Sequence, residues 1–520
     1  MPGSLLHQFL SHPLRRTAVI GTDGDPWTFD RLLAAACRTA DLLRPLGCAG
    51  RTVLIHARGA GGPWFAVADL AVLLAHGVPA VIPEHLTDTH SAAVLHALQP
   101  AAVVDTAPGV GHALLARARH QDLPVISPAT SAHPVFSPSD SSSHRAAAAY
   151  WAGQRTKPAA AVVFTSGTTG VPRGVVLRDR DLVDGITAWT AHWPTGAVRP
   201  ARTVAHLPVA HIAQRIMGHY LMCLFGTTVC TSTPERLSTD ITLYRPDILL
   251  GVPHTWSGLD TAADHDHHLA PALGTIGLAV NGGVALDTQL AERLASRGLR
   301  VAGAYGATET TVPAFHQPDL RQPTLGTPIG IEYRLTEEGE LLLRSPHAAA
   351  GYVSTWPALD PISGGDGWLH TGDRAQQRED GQLVLAGRAS AAFKTGKGRL
   401  VHPEPAEALL TGHPLVDGAC LLGDGLPATI ALVSAPATSS WTADQTRALE
   451  DALATAIDQA QRDGRVPWTD LGRVHIVTDS WSDEVLVTST GKPRRDAITT
   501  RYAGLLTATP RIPPREEQHA

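Results

Sequence analysis

The chain has 520 residues, 43% of them apolar and 17% charged, a balance that fits a globular protein and excludes an intrinsically disordered one. Its length exceeds the usual single core, so more than one domain is expected. A formal net charge of −6 gives no general reason to expect a nucleic-acid or anionic-membrane partner.

The start, MPGSLLHQFLSHPLRR, places its basic residues after a short apolar run, the reverse of a secretory leader. No apolar run of about 18 residues occurs, so no membrane span is expected. Cys37, Cys48, Cys223, Cys230 and Cys420 form no CxxC pair, which argues for a reducing cytoplasm and against a disulfide framework or zinc site. Only four of the 42 basic residues are lysine (Lys157, Lys394, Lys397 and Lys492), so a lysine in a chemically sensible place carries weight.

Residues 29–43 (FDRLLAAACRTADLL) place apolar side chains at helical spacing, with Asp30 in the first turn. Residues 51–56, 77–83 and 101–105 read as strands and 66–75 as a buried helix. That alternation predicts a mainly parallel sheet covered by helices on both faces. Residues 126–158, rich in Ser, Pro and Ala and without periodicity, read as a surface loop. Next comes the densest motif, VVFTSGTTGVPRGVVL at 162–177: strand, loop, strand, with glycines that can aim backbone N–H groups at one point and hydroxyls that add donors. Such a loop suits a polyphosphate, although it is not a Walker A loop, because GK[ST] is absent. Behind it, Leu182, Ile186, Trp189 and Trp193 share one helical face and read as core. The Asp/His-rich run 264–268 is too compact for one closed metal site and reads as an exposed loop. After a strand at 382–386 the pattern restarts: a helix from about Glu404, strands at 419–422 and 429–433, a helix at 443–463 and a strand at 473–477.

TSGTTGVPRGV resembles the phosphate-loop signature of the adenylate-forming superfamily, which includes acyl-CoA synthetases, luciferases and the adenylation domains of peptide synthetases. Further resemblances follow in that family's order: HLPVAH at 206–211, similar to a segment of the long-chain acyl-CoA synthetase branch; NGGV at 281–284; AYGATET at 304–310; GEL and GY at 339–341 and 351–352; DGWLHTGD at 366–373; Gly387-Arg388; and TSTGKPRR at 488–495. The fold implied is α/β: a large N-terminal domain (1–386) with mainly parallel sheets and flanking helices, and a small mobile α+β C-terminal domain (387–520).

The resemblance also implies an ATP-dependent activation of a carboxylic acid as its acyl-adenylate, followed by transfer to a nucleophile, with the thiol of CoA expected first. Thr165, Ser166, Gly167, Thr168, Thr169, Gly170 and Arg173 are then the phosphate loop, arginine standing where the family has lysine. Gly282, Gly283 and Val284 lie against the adenine, and so do Ala304, Tyr305 and Gly306, the Tyr305 ring stacking on it. Thr308 donates to a phosphate. Glu309, with Thr168, holds Mg²⁺, and Asp373 and Arg388 hold the ribose. Lys492 reaches the α-phosphate and the substrate carboxylate. His211 is a candidate gate of the acid pocket or else a buried structural histidine. Lys492, Glu309, Thr165 and His211 are the catalytic candidates. The expected cofactors and partners are ATP, Mg²⁺, a small-molecule acid and CoA.

One departure stands out: the family's charged hinge after Gly387-Arg388 is replaced by Ala389-Ser390-Ala391-Ala392. It motivates a second reading, an adenylate former of secondary metabolism whose acceptor is a carrier-protein thiol or an amine, or whose acid is an unusual small oxyacid such as nitrite. A third, a nucleotide-binding pseudoenzyme, is disfavoured because Glu309, Asp373 and Lys492 are all present.

Overall fold

The structure, a computed structural model, describes residues 4–84, 86–129, 141–154, 159–165, 172–194, 201–388, 391–481, 485–488 and 492–507. Two large sheets dominate it. The first has nine strands, six of them parallel in the order Thr17–Ile20, Thr228–Thr231, Arg202–Ala205, Ile248–Gly251, Leu278–Gly282 and Val301–Tyr305. The second has eight; Ala159–Thr165, Val78–Val81, Thr52–His56, Ala102–Asp105 and Val125–Ile126 run parallel, and Arg173–Arg178 returns antiparallel to Ala159–Thr165. The expectation of mainly parallel sheets with helices between their strands therefore holds.

One hydrophobic core joins both sheets. Val53, Ile55 and Val163 from one sheet and Val229, Ile248 and Leu250 from the other belong to it, together with the helix Gly62–Leu74. That helix is buried continuously from Phe65 to Leu74, as expected of a helix that is apolar all round. The helix Phe29–Leu43 has the bounds expected from its periodicity. Its N-cap is Thr28, whose hydroxyl accepts from Arg31 N at 3.2 Å. Leu182, Ile186, Trp189 and Trp193 are all buried, the two tryptophans meeting edge to face.

Part of the segment read as a loop is instead a helix, Ser141–Gln154. It packs against Phe29–Leu43 through small residues: Ala148 and Ala152 are buried in the same core. Alanine favours helix strongly but leaves no stripe of large apolar side chains, so periodicity could not reveal it. The run 264–268 joins the helices Pro253–His265 and Leu269–Leu273, and Asp264 is ion-paired with Arg297 at 2.7 Å.

An antiparallel sheet of four strands follows, Glu332–Leu335, Glu340–Arg344, Leu369–Gln377 and Leu383–Arg388. Its last strand continues two residues past the expected end at residue 386, so Arg388 pairs across the ladder with Asp373. The smaller C-terminal domain has its own core. Leu449, Leu453, Ile457 and Ala460 of the helix Ala443–Arg462 cover a mixed sheet of Gly418–Leu422, Thr429–Ser434 and Leu471–Val477. Glu407 is buried there, bonded to Arg495 at 2.5 Å and accepting from Leu421 N at 2.8 Å.

Candidate active site

The candidate residues collect where the parallel strands of the first sheet end, the edge at which open α/β sheets bind ligands. Strand Leu278–Gly282 delivers Gly282, Gly283 and Val284. Asn281 shapes that turn: its amide donates to Val284 O at 2.7 Å, and its carbonyl oxygen accepts from the buried Trp256 indole at 3.0 Å. The neighbouring strand Val301–Tyr305 delivers Ala304 and Tyr305, followed by Gly306, Thr308 and Glu309. A Cβ at Gly306 would come within 2.9 Å of Pro313 Cα, so the close turn requires glycine. Thr311, two residues past Glu309, is fully buried with φ at +67°, a strained conformation for a β-branched residue. The Thr310 hydroxyl, close to Ala307 O (2.8 Å) and Val312 O (2.7 Å), holds the turn that imposes it.

The second sheet supplies Thr165 and Arg173, which face each other across the ladder at the two ends of the phosphate loop. Ser166, Gly167, Thr168, Thr169 and Gly170 lie outside the described residues. Tyr352 connects this sheet to Glu309. It lies in the strand Gly351–Thr355, beside Val175, and its hydroxyl donates to Glu309 Oε1 at 2.8 Å. The Arg173 guanidinium lies 3.5 Å from the centre of the Tyr352 ring. Tyr352 belongs to the GY motif; its link to both Arg173 and Glu309 is visible only in three dimensions.

Asp373 forms a second centre. Its Oδ2 accepts from the Tyr305 hydroxyl at 2.7 Å and its Oδ1 from Arg388 Nε at 2.9 Å. Each carboxylate oxygen can accept twice, so capacity remains for ribose hydroxyls. Burial, and then the charge of Asp373, push the Tyr305 hydroxyl well above its ordinary pKa, so it stays a donor. Arg388 N donates to Glu404 at 2.9 Å, which brings in a carboxylate that the motifs had not singled out.

Lys492 completes the cluster. It is partly buried, and loss of water lowers its pKa, as does the charge of Arg388, while Asp373 and Glu404 act in the opposite sense. Its charge also bears on His211, whose pKa burial holds down to about 4. His211 opens the segment after strand Arg202–Ala205 and lines an apolar pocket with Leu207, Pro208, Leu250, Gly282 and Gly283. Ala213, Gln214, Gly251 and Val252 also line this pocket. Of the hinge substitutions, Ala389 and Ser390 lie outside the described residues, and Ala391 N and Ala392 N both donate to Arg388 O.

The family description "AMP-binding enzyme" matches residues 5–353, and "AMP-binding enzyme C-terminal domain" matches 394–509. The chain belongs to the AMP-binding enzyme family. Among its relatives is a long-chain-fatty-acid–CoA ligase, FadD15 of Mycobacterium bovis, 29% identical over 332 residues, which are 54% of this chain and 55% of that one. The chain thus spans about half the length of the curated relatives it matches. ATP-bound MatB from Rhodopseudomonas palustris superposes with a TM-score of 0.75 at 20% identity, over 97% of this chain and 99% of that one. The o-succinylbenzoate CoA synthetase MenE of Bacillus subtilis, with ATP and magnesium ion, gives 0.73 at 17% identity, over 95% and 98%. At these identities the likeness is one of fold. Among the described residues of this AMP-binding family member, no helix is long and apolar enough to cross a membrane.

Proposed function

We propose that the protein activates a carboxylic acid with ATP as an acyl-adenylate, releases pyrophosphate, and transfers the acyl group to the thiol of CoA. The observation that carries this reading is the convergence of Lys492 with Asp373, Arg388, Glu404 and His211. An ammonium from the C-terminal part, taken as 387–520, lies within electrostatic reach of both a carboxylate suited to ribose and a histidine of the apolar pocket suited to an acid.

The first step brings two anions together. A carboxylate oxygen attacks the α-phosphorus, the bond to the bridging oxygen breaks, and pyrophosphate leaves with the electron pair. Lys492 offsets the combined negative charge, and Arg173 does so at the other end of the triphosphate. Positioning by Asp373, Arg388, Tyr305, Thr165 and Thr308 accounts for much of the remainder. Glu309 is a hard, partly buried carboxylate facing the same space as Arg173 and Tyr352, a donor type that fits Mg²⁺, with Thr168 proposed as its companion. When bound, that ion neutralises phosphate charge. In the second step the CoA sulfur attacks the acyl carbon as thiolate, its proton passing to solvent, and AMP departs with the electrons of the broken C–O bond.

The relatives named as CoA ligases support CoA as the acceptor, and the MenE complex supports ATP with magnesium. Five free cysteines, four of them buried, suit a reducing cytoplasm. Pyrophosphate release from ATP, measured across a panel of acids, tests the first half; product mass spectrometry with and without CoA tests the second. Acid-independent behaviour in the first assay overturns the reading.

A further inference from the structure

The His211 pocket has a neighbour. A second cavity lies under the segment 214–222 and is lined by Phe65 and Ala66 of the core helix, with Ala205, Gly218, His219 and Thr231. Gln214 is the residue common to the two linings. It is 3% exposed, and its Oε1 accepts from Leu207 N at 3.1 Å. Its amide nitrogen would be 3.3 Å from a Cβ at position 218, so the missing side chain of Gly218 is what leaves it room. The amide is therefore held at the junction of the two cavities by its bond to Leu207 N, and Gly218 leaves it room on the other side.

The wall behind it is fixed. His219 Nε2 bonds Asp69 at 2.9 Å, Arg215 pairs with the other oxygen of Asp69, and all three side chains are buried. The turn Ile216–Tyr220 is π-helical, a wide turn that recurs at functional sites. In the inner cavity Thr231 presents a buried hydroxyl with no hydrogen-bond partner among the described residues.

We infer that Gln214 is a chain-length stop: it divides the acid pocket from the inner cavity, so the protein selects acids with short tails although its relatives are named for long-chain ones. The inference rests on the reading that the His211 pocket holds the acid. A single methylene that does or does not fit an apolar pocket changes discrimination by about 10- to 200-fold, so one side chain suffices to set a length limit.

The test is kcat/KM for pyrophosphate release with acetate, butyrate, hexanoate, octanoate and dodecanoate, using the full chain and its Gln214→Ala and Gln214→Asn variants. The expected wild-type optimum is butyrate or hexanoate, with dodecanoate lower by at least about tenfold. Either variant is expected to raise the dodecanoate-to-butyrate ratio by about tenfold or more; Gln214→Asn, a smaller change, carries the test if the alanine variant does not fold. A wild-type optimum at dodecanoate, or a folded variant with an unchanged length profile, overturns the stop while leaving acid activation standing. Release with none of these acids, nor with any branched, aromatic or hydroxylated acid, overturns acid activation itself and the stop with it.

Discussion

The Tyr352 hydroxyl donates to Glu309 at 2.8 Å while the Arg173 guanidinium lies over the same ring, 3.5 Å from its centre. One phenol thus couples the strand leaving the phosphate loop to the carboxylate proposed for the metal, across the gap between two sheets. Arginine suits position 173 because a planar guanidinium stacks on an aromatic face where a compact ammonium does so less well. Tyr352→Phe keeps the stack and removes the donor. Its kcat/KM for ATP is expected to fall about tenfold, and Tyr352→Leu, which loses both contacts, is expected to fall further. Pyrophosphate release at varied ATP measures this; an unchanged Phe variant makes the bond purely structural.

Lys492 is assigned the neutralisation of approaching anions. Lys492→Ala is expected to lower acid-dependent ATP–pyrophosphate exchange by about 10²- to 10³-fold. Nucleotide binding, followed by calorimetry, should remain detectable because Asp373, Arg388 and the phosphate loop are intact. Exchange at the wild-type rate removes Lys492 from the mechanism.

The pH profile offers a separate check. Burial and Arg388 lower the pKa of Lys492, whereas Asp373 and Glu404 raise it. The working form is the ammonium, so activity is lost as pH rises through that lowered value. Glu404→Gln deletes a stabilising negative charge and should lower the lysine pKa again, moving the alkaline limb to lower pH. The amide can still accept from Arg388 N, so the local fold is kept. A limb that stays in place or moves upward contradicts the assignment.

Acid sensitivity follows from the buried histidines. Burial holds His206 down to about 4 against an ordinary 6.5. Between those values the unfolded chain takes up a proton that the folded chain refuses, so stability rises with pH across the window and is lost on acidification. One such residue accounts for at most about 3 kcal/mol. His316, also held down to about 4, adds to the effect. Urea unfolding from neutral pH down to about pH 4.5 should show the decline, and His206→Gln should make it shallower.

Asn281 is expected to matter through Trp256. Asn281→Leu leaves the buried indole N–H without its acceptor, a cost of about 1–3 kcal/mol, and releases the Val284 carbonyl. Thermal unfolding measures the first effect, and a raised KM for ATP reports the altered Gly282–Val284 turn.

Short-range order was written plainly in the sequence. The helix Phe29–Leu43 and the strand pair around the phosphate loop follow from apolar period and turn chemistry, which act over a few residues. The order of motifs likewise marked Glu309, Asp373, Arg388 and Lys492, because phosphate, ribose and metal each demand particular side chains. The helix Ser141–Gln154 escaped because alanines pack by being small and leave no periodic signal. Tyr352, Glu404 and Gln214 were out of reach for another reason. Each acts on a group distant in the chain or on space between elements: Tyr352 on Glu309, 43 residues distant; Glu404 on Arg388 N, 16 residues distant; and Gln214 on two cavities that exist only once the core helix has packed beneath it. Local chemistry fixed what kinds of groups the protein carries, whereas distances between groups and the shape of empty space are properties of packing and were decided only when the sheets and helices closed on one another.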